Sequence, residues 1–379
     1  MLRFDRGTWL PTVSGADYVH DIAYDFYGTR FAICTSSLRI SIFGAPEGGS
    51  AGEEGETAPW TEIARMDRAH GGPIWRLSWG HPEYGQPLAS CSEDRTVTIW
   101  YEGRSQGAAS RGAQSSTGTA NPPPWQRRWS HQGEAPWLDV RFAPAPLGLK
   151  LAAVTSDGKA RVFECVNAMD LRAWEPEDIE TQTHRPSAAS SQPAQPDRTL
   201  AAATGSSLGC MSAALDWMCV PFGGGGEERS EALAVGGRGG RLGIWAKSNR
   251  WKELVSEEAH PPASGGVKDV AWCPNLCRPY EIVATCGAGA RLWRVDFPSA
   301  DETQGVTNTR KDSGNACRLQ LLMELIPAAD KACPVWRCSW NLMGTTLALC
   351  PESGELSIWK CNASLKWRRE CEVVKGTED

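Results

Sequence analysis

Apolar and polar residues alternate with a period of two in short runs along most of the chain, the spacing of β-strands that turn one face to a core. The clearest case is Ala69 to Trp100, AHGGPIWRLSWGHPEYGQPLASCSEDRTVTIW. A turn carrying His70 precedes a strand with Trp75 and Trp79, a Pro/Gly loop leads into LASCS, and a polar turn at Glu93-Asp94 leads into TVTIW. Each break falls on turn-forming residues, so three short antiparallel strands are expected. A His-bearing turn, an Asp-bearing turn and a strand closing on Trp, in that order, make one blade of a WD-repeat propeller. In such a blade His70, Ser90 or Ser92, Asp94 and Trp100 can form a hydrogen-bonded chain tying the outer turn to the inner strands.

The pattern returns to make six repeats. The first and third strands of each end on aromatic or Trp residues: Tyr24 and Phe43, Trp79 and Trp100, Phe142 and Phe163, Trp217 and Trp245, Trp272 and Trp293, Trp340 and Trp359. A bulky ring at a fixed strand position fills the gap between twisted neighbouring sheets. Outer strands are expected at Trp60 to Met66, Trp125 to Ser130, within Leu171 to Thr183, and at Trp251 to Val255, Arg318 to Ile326 and Leu365 to Val373. The expected organisation is all-β, with an N-terminal segment at 1–17 and a six-bladed propeller over 18–375. Its blades fall at about 18–66, 69–130, 133–183, 209–257, 265–326 and 333–375. Stretches rich in Gly, Ser, Ala, Pro and Thr at 44–59, 103–124, 186–207, 221–230 and 298–316 read as mobile surface inserts. The repeats are uneven: Asp157 keeps the turn Asp in TSDG, whereas ATCGAGARLW (Ala284 to Trp293) lacks it.

Closure is the informative detail. A propeller usually locks when one end of the chain supplies a strand to the blade begun by the other, which removes an exposed edge. Here the sixth repeat holds its own outer strand, LKWRRECEV, and Arg3 to Val13 has no vacancy to fill. The expected fold is therefore an open six-bladed ring that lacks self-closure and is completed by a partner blade in trans. The residues expected at the seam are Phe26, Phe31, Ile40, Ile42 and Phe43 on the first blade, and Trp340, Leu347, Leu356, Ile358 and Trp359 on the last.

Composition narrows the function. The 18 Trp outnumber the 8 Phe and 6 Tyr together, which the repeat explains. A net charge of −6 without a long Lys/Arg run gives no footprint for direct nucleic-acid binding. No run is apolar and long enough to span a bilayer, and MLRFDRGTWLPTVSGADY holds no secretory apolar core, so a soluble intracellular protein is expected without membrane insertion. The 14 Cys include no pair of C-x-x-C motifs. Cys34, Cys91, Cys286 and Cys350 fall in second strands, where free Cys serves as a small buried hydrophobe, so no metal or cofactor is expected. No nucleophile elbow, zinc-protease helix or kinase set occurs, and His20, beside Asp21, reads as a blade contact. The glycines Gly236, Gly237, Gly239 and Gly240 lack a G-K-[ST] ending and precede a strand, so they read as a tight turn. The expected protein is not an enzyme.

Longer strings carry a family resemblance: YVHDIAYDFYGTRFAICTSS (Tyr18 to Ser37), GGPIWRLSWGHPEYGQPLASCSEDRTVTIW (Gly71 to Trp100), DVRFAPAPLGLKLAAVTSDGKARVFE (Asp139 to Glu164), VKDVAWCPNL (Val267 to Leu276) and VWRCSWNLMGTTLAL (Val335 to Leu349). In these the chain resembles the Seh-type (Sec-thirteen homologue) WD-repeat nucleoporins of the Y-shaped nuclear pore scaffold complex. It is also similar to the sister propeller of the COPII vesicle coat. NAMDLRAW (Asn167 to Trp174) and PNLCRPYEIVA (Pro274 to Ala284) favour the nucleoporin type. The resemblance implies a scaffold at the nuclear envelope, serving mRNA export and protein import. Its implied partners are an α-solenoid nucleoporin of the eighty-five type, which donates a β-blade, and other Y-complex subunits. It further implies a second place in a coat-like complex on the vacuolar or lysosomal membrane surface that regulates TOR signalling. The alternative is a COPII coat propeller in ER-to-Golgi transport.

Overall fold

The computed structural model describes residues 17–45, 60–103, 125–179, 212–219, 231–275, 278–297, 317–325, 333–362 and 366–373. The expected N-terminal segment, apart from Asp17, and the expected inserts, apart from Gly44, Ala45 and Gly103, lie outside them. The described strands form six four-stranded sheets, each of four strands consecutive in the chain. The first sheet holds β1 (Val19–Tyr24), β2 (Arg30–Thr35), β3 (Ile40–Gly44) and β4 (Thr61–Met66); the second holds β5 (Ile74–Trp79), β6 (Leu88–Ser92), β7 (Thr96–Glu102) and β8 (Trp125–Gln132). In the third are β9 (Trp137–Phe142), β10 (Lys150–Thr155), β11 (Ala160–Cys165) and β12 (Trp174–Ile179). The fourth comprises β13 (Ala213–Trp217), β14 (Glu231–Gly237), β15 (Arg241–Lys247) and β16 (Trp251–Glu258). The fifth comprises β17 (Asp269–Trp272), β18 (Glu281–Cys286), β19 (Ala290–Asp296) and β20 (Arg318–Leu325). The sixth comprises β21 (Val335–Trp340), β22 (Thr346–Pro351), β23 (Leu356–Cys361) and β24 (Trp367–Val373). This is an all-β, six-bladed propeller.

The repeating aromatics have a register to match. Tyr24, Phe31 and Phe43 lie side by side across three strands, as do Trp79, Leu88 and Trp100, and Trp340, Leu347 and Trp359. One ring therefore flanks each side of an aliphatic or aromatic centre, at one level of the sheet.

Two compact units divide the chain, residues 1–153 with 162–177, and residues 154–161 with 178–379. In the first unit the alternation of β2 and β3 sends Ala32, Cys34, Ile40 and Ile42 into one core with Ile74, Leu77, Leu88 and Trp100 of the second sheet. The opposite face of the second sheet, through Ala89, Cys91, Val97 and Ile99, packs on Trp137, Leu151 and Phe163 of the third. In the second unit Ala234 and Ile244 meet Trp272 and Val283, and Ala284, Cys286 and Leu292 meet Leu347, Leu349 and Trp359. Sheets stacked in this way are apolar on both faces, which explains central strands buried along nearly their whole length.

The glycine cluster is the tight turn expected. It joins β14 to β15, and Gly240 sits at φ +76°, where an added Cβ would meet the His260 carbonyl oxygen at 1.9 Å.

Candidate functional site

The hydrogen-bonded chain of the second blade forms through Ser90. His70 Nε2 lies 2.7 Å from the Ser90 hydroxyl, which also accepts from Trp100 Nε1 at 2.8 Å, while His70 Nδ1 lies 3.1 Å from Asp94 Oδ2. Ser92 instead donates to the Gly72 carbonyl. Burial opposes charge on Asp94, yet hydrogen bonds from His70, Thr96 and the Gly71 N–H outweigh it and hold the carboxyl well below its ordinary range. These groups are spent on one another, so the chain braces the blade.

A second, shorter version went unseen in the sequence. His260 Nε2 lies 3.0 Å from the Thr285 hydroxyl, which accepts from Trp293 Nε1 at 3.0 Å. No turn Asp follows, and burial together with the Arg291 guanidinium pushes His260 down to about 4. The spacing from His to hydroxyl to Trp resembles that of the second repeat and was the available signal. In the fourth and sixth blades the buried Trp245 and Trp359 N–H groups have no hydrogen-bond partner among the described residues.

First strands are tied from blade to blade. Asp21 accepts from the Leu77 N–H at 2.9 Å and Asp269 from the Cys338 N–H at 2.9 Å. The related strings IWRLSW and VWRCSW do equivalent work: Trp79 Nε1 donates to the Ala23 carbonyl and Trp340 Nε1 to that of Ala271. Buried Arg76 sits 3.8 Å from Asp21 and 3.6 Å from Asp139. His20 is a blade contact, 2.8 Å from the Ser36 hydroxyl with its ring against Trp75. The inner acids thus serve as backbone acceptors and ion-pair partners. No group of three metal-ligating side chains occurs among the described residues, and no described helix is long and apolar enough to cross a membrane.

The sheets at the two ends of the series differ from the rest. In the first unit Tyr24, Phe31, Phe43 and Trp60 form an aromatic slab on the face of the first sheet turned away from the second: Phe31 stacks on Phe43 at 5.1 Å, and Trp60 meets Phe31 at 4.8 Å and Tyr24 at 6.2 Å. Tyr24 is 59% exposed and Ile22 43%. In the second unit β22 alternates between buried and accessible positions, unlike β18, which is buried throughout. Register puts Ala348 beside Ile358 on the accessible face of the sixth sheet, and both are half-buried.

Alternation therefore sorts the expected seam residues. Phe31 and Phe43 belong to the slab, and Leu356 and Ile358 lie half-buried on β23. Phe26 stands on the β1–β2 turn, 62% exposed, with its ring edge-on to His81. The other five require correction. Ile40 and Ile42 point into the core shared with the second sheet, and Trp340, Leu347 and Trp359 into that shared with the fifth. Neighbours along a strand face opposite ways, so a consecutive set cannot line one surface. Ile22, Tyr24, Trp60 and Ala348 were missed on the accessible faces. Cys350 is a further correction: it is exposed rather than buried like Cys34, Cys91 and Cys286, because alternation along β22 turns it away from the core that Leu347 and Leu349 share with the fifth sheet.

Six four-stranded sheets and their repeated register define a WD-repeat β-propeller protein, and the family model described as "WD domain, G-beta repeat" matches residues 61–101. Nucleoporin SEH1 of Xenopus tropicalis is 26% identical over 93% of this chain and 84% of its own length. Nucleoporin SEH1 of Homo sapiens is likewise 26% identical, with the same coverage. Among solved structures, a chain of the mitotic checkpoint complex aligns with a TM-score of 0.55 at 12% identity, covering 91% of this chain and 74% of that one. The β-propeller domain of Cps50 (Swd1) from Myceliophteria thermophila aligns at 0.54 and 15% identity, covering 91% and 83%. The two structures speak to the fold alone. The matches along the chain support a Seh-type WD-repeat nucleoporin.

Proposed function

We propose that the chain is a structural scaffold subunit of the nuclear pore's Y-shaped complex, acting in mRNA export and protein import. It binds an α-solenoid nucleoporin of the eighty-five type by accepting a β-blade in trans, and through it joins the other subunits. The observation that supports this reading is apolar strand surface left accessible at both ends of the repeat series, at Ile22 and Tyr24 on β1 and at Leu356 and Ile358 on β23, although each sheet already holds its own four strands. Apolar strand faces of this kind bind added β-structure, with pockets for alternate side chains giving specificity. The interior polar groups are engaged in bracing, in keeping with a scaffold rather than an enzyme. The same surfaces would serve in a vacuolar or lysosomal coat-like complex that regulates TOR signalling.

Coexpression of the full chain with a solenoid partner carrying or lacking its N-terminal β-segment tests the reading. Copurification should be lost with the segment; binding that survived its removal would overturn the trans-blade mechanism. Preferential capture of a COPII solenoid over the nucleoporin would instead assign the chain to the vesicle coat.

A further inference from the structure

A cleft of about 390 Å³ opens in the first unit between the turn after β2, the segment Arg68 to Gly71, and strands β7 and β8. Its inner groups are satisfied. Asp94 accepts from the Gly71 N–H at 2.7 Å, the Thr96 N–H at 2.8 Å and the Thr96 hydroxyl at 2.6 Å, with His70 Nδ1 at 3.1 Å. A carboxylate surrounded by four donors has little acceptor capacity left for another cation.

Two guanidinium groups reach the same cleft from separate elements, Arg68 from the link between the first and second sheets and Arg127 from β8. Neither has an ion-pair partner among the described residues, whereas the arginines around them are engaged: Arg39 with Asp67 at 2.8 Å, Arg65 with Glu62 at 2.7 Å, and Arg128 over the Tyr101 ring. The rim is also conformationally costly. Leu38 and Arg68 hold φ of +64° and +51°, and the Ala69 N–H donates to the Leu38 carbonyl at 2.9 Å, pinning the two turns together. Left-handed backbone at non-glycine residues persists where surrounding structure enforces it and concentrates at binding sites. Thr98, at the cleft floor, is buried with its hydroxyl 3.2 Å from that of Ser130.

Two guanidiniums without an ion-pair partner among the described residues call for an anion. One planar guanidinium fork already satisfies a carboxylate, whereas a phosphate monoester carries nearly two charges and three terminal oxygens and can engage both arginines. The protein's net charge of −6 offers no general attraction, so such binding has to be local. We propose that the cleft binds a phosphate dianion carried on a phosphorylated Ser or Thr of an extended partner segment. Arg68 and Arg127 pair with its oxygens, and the remaining volume takes the flanking residues.

Calorimetric titration of the full chain in low-salt chloride buffer tests this with three probes: a Gly-Gly-pSer-Gly-Gly peptide, its unphosphorylated form and inorganic phosphate. The phosphopeptide should bind saturably, at least tenfold more tightly than inorganic phosphate, and the unphosphorylated peptide should give no saturable heat. R68Q and R127Q should each weaken the phosphopeptide about tenfold or more, with R39Q within about twofold of the native chain. R68G removes the guanidinium while suiting the left-handed backbone, so it should lose binding with its melting temperature kept or raised. Absence of saturable phosphopeptide binding, or equal binding by R68Q and R127Q, would overturn the site. Equal affinity for inorganic phosphate and the peptide would overturn the peptide source.

Discussion

The sorting of residues by strand face makes a sharp comparison between Ile42→Ala and Tyr24→Ala. Ile42 is fully buried in the core between the first two sheets. Truncation removes three carbons and leaves a cavity among Ile74, Leu77 and Trp100, a loss of about 3 kcal/mol. Tyr24 is 59% exposed, with ring contacts at 5.5 Å to Phe31 and 6.2 Å to Trp60, so its truncation should cost less than about 1 kcal/mol. The assay is urea unfolding followed by Trp fluorescence. With a slope of about 3 kcal/mol/M, Ile42→Ala should lower the midpoint by about 1 M and Tyr24→Ala by no more than about 0.3 M. Affinity for the solenoid partner should move the other way. Loss of a central aromatic contact should cost about 1.4 kcal/mol or more, about tenfold in Kd, in Tyr24→Ala, with Ile42→Ala nearly unchanged under native conditions. An unshifted midpoint for Ile42→Ala combined with loss of partner binding would refute the assignment of faces.

Other outcomes follow from the same geometry. His260 has a folded value of about 4 against an ordinary 6.5, so the unfolded chain takes up the proton first. Its contribution is intact above pH 6.5 and is lost as pH falls toward 4, by up to about 3 kcal/mol. Urea midpoints at pH 7 and 4.5 should therefore diverge more for the native chain than for His260→Gln, and an imidazole NMR titration centred near 6.5 would contradict this. Ser90→Ala leaves His70 Nε2 and Trp100 Nε1 short of a buried partner and should cost about 2 kcal/mol or more in the same denaturation assay. Thiol labelling should reach Cys350 in the native chain but Cys34, Cys91 and Cys286 only on unfolding, and partner binding should protect Cys350; labelling at a single rate would contradict the exposure pattern.

By itself, the sequence determined the number of repeats, the strand positions and the bracing of the second blade. Those features rest on local periodicity and turn chemistry: rings at matching strand ends, a turn acid at Asp94, a His twenty residues before Ser90. It also showed a sixth repeat holding its own outer strand, now β24 in a sheet with β21 to β23. Tertiary structure decided which face of each strand is covered. A period of two shows that a strand has two sides, but both are apolar in Phe31-Ala32-Ile33-Cys34, and only the packing of the second sheet on Ala32 and Cys34 separates them. For the same reason Cys350 could not be told from Cys286, nor Ile42 from Phe43. The pairing of His260 with Thr285 and Trp293 forms within one blade, but with no turn Asp to mark it beside the fuller second repeat. The meeting of Arg68 with Arg127 joins residues distant along the chain. Charge acts through space, so that cleft exists only once the first and second sheets are stacked.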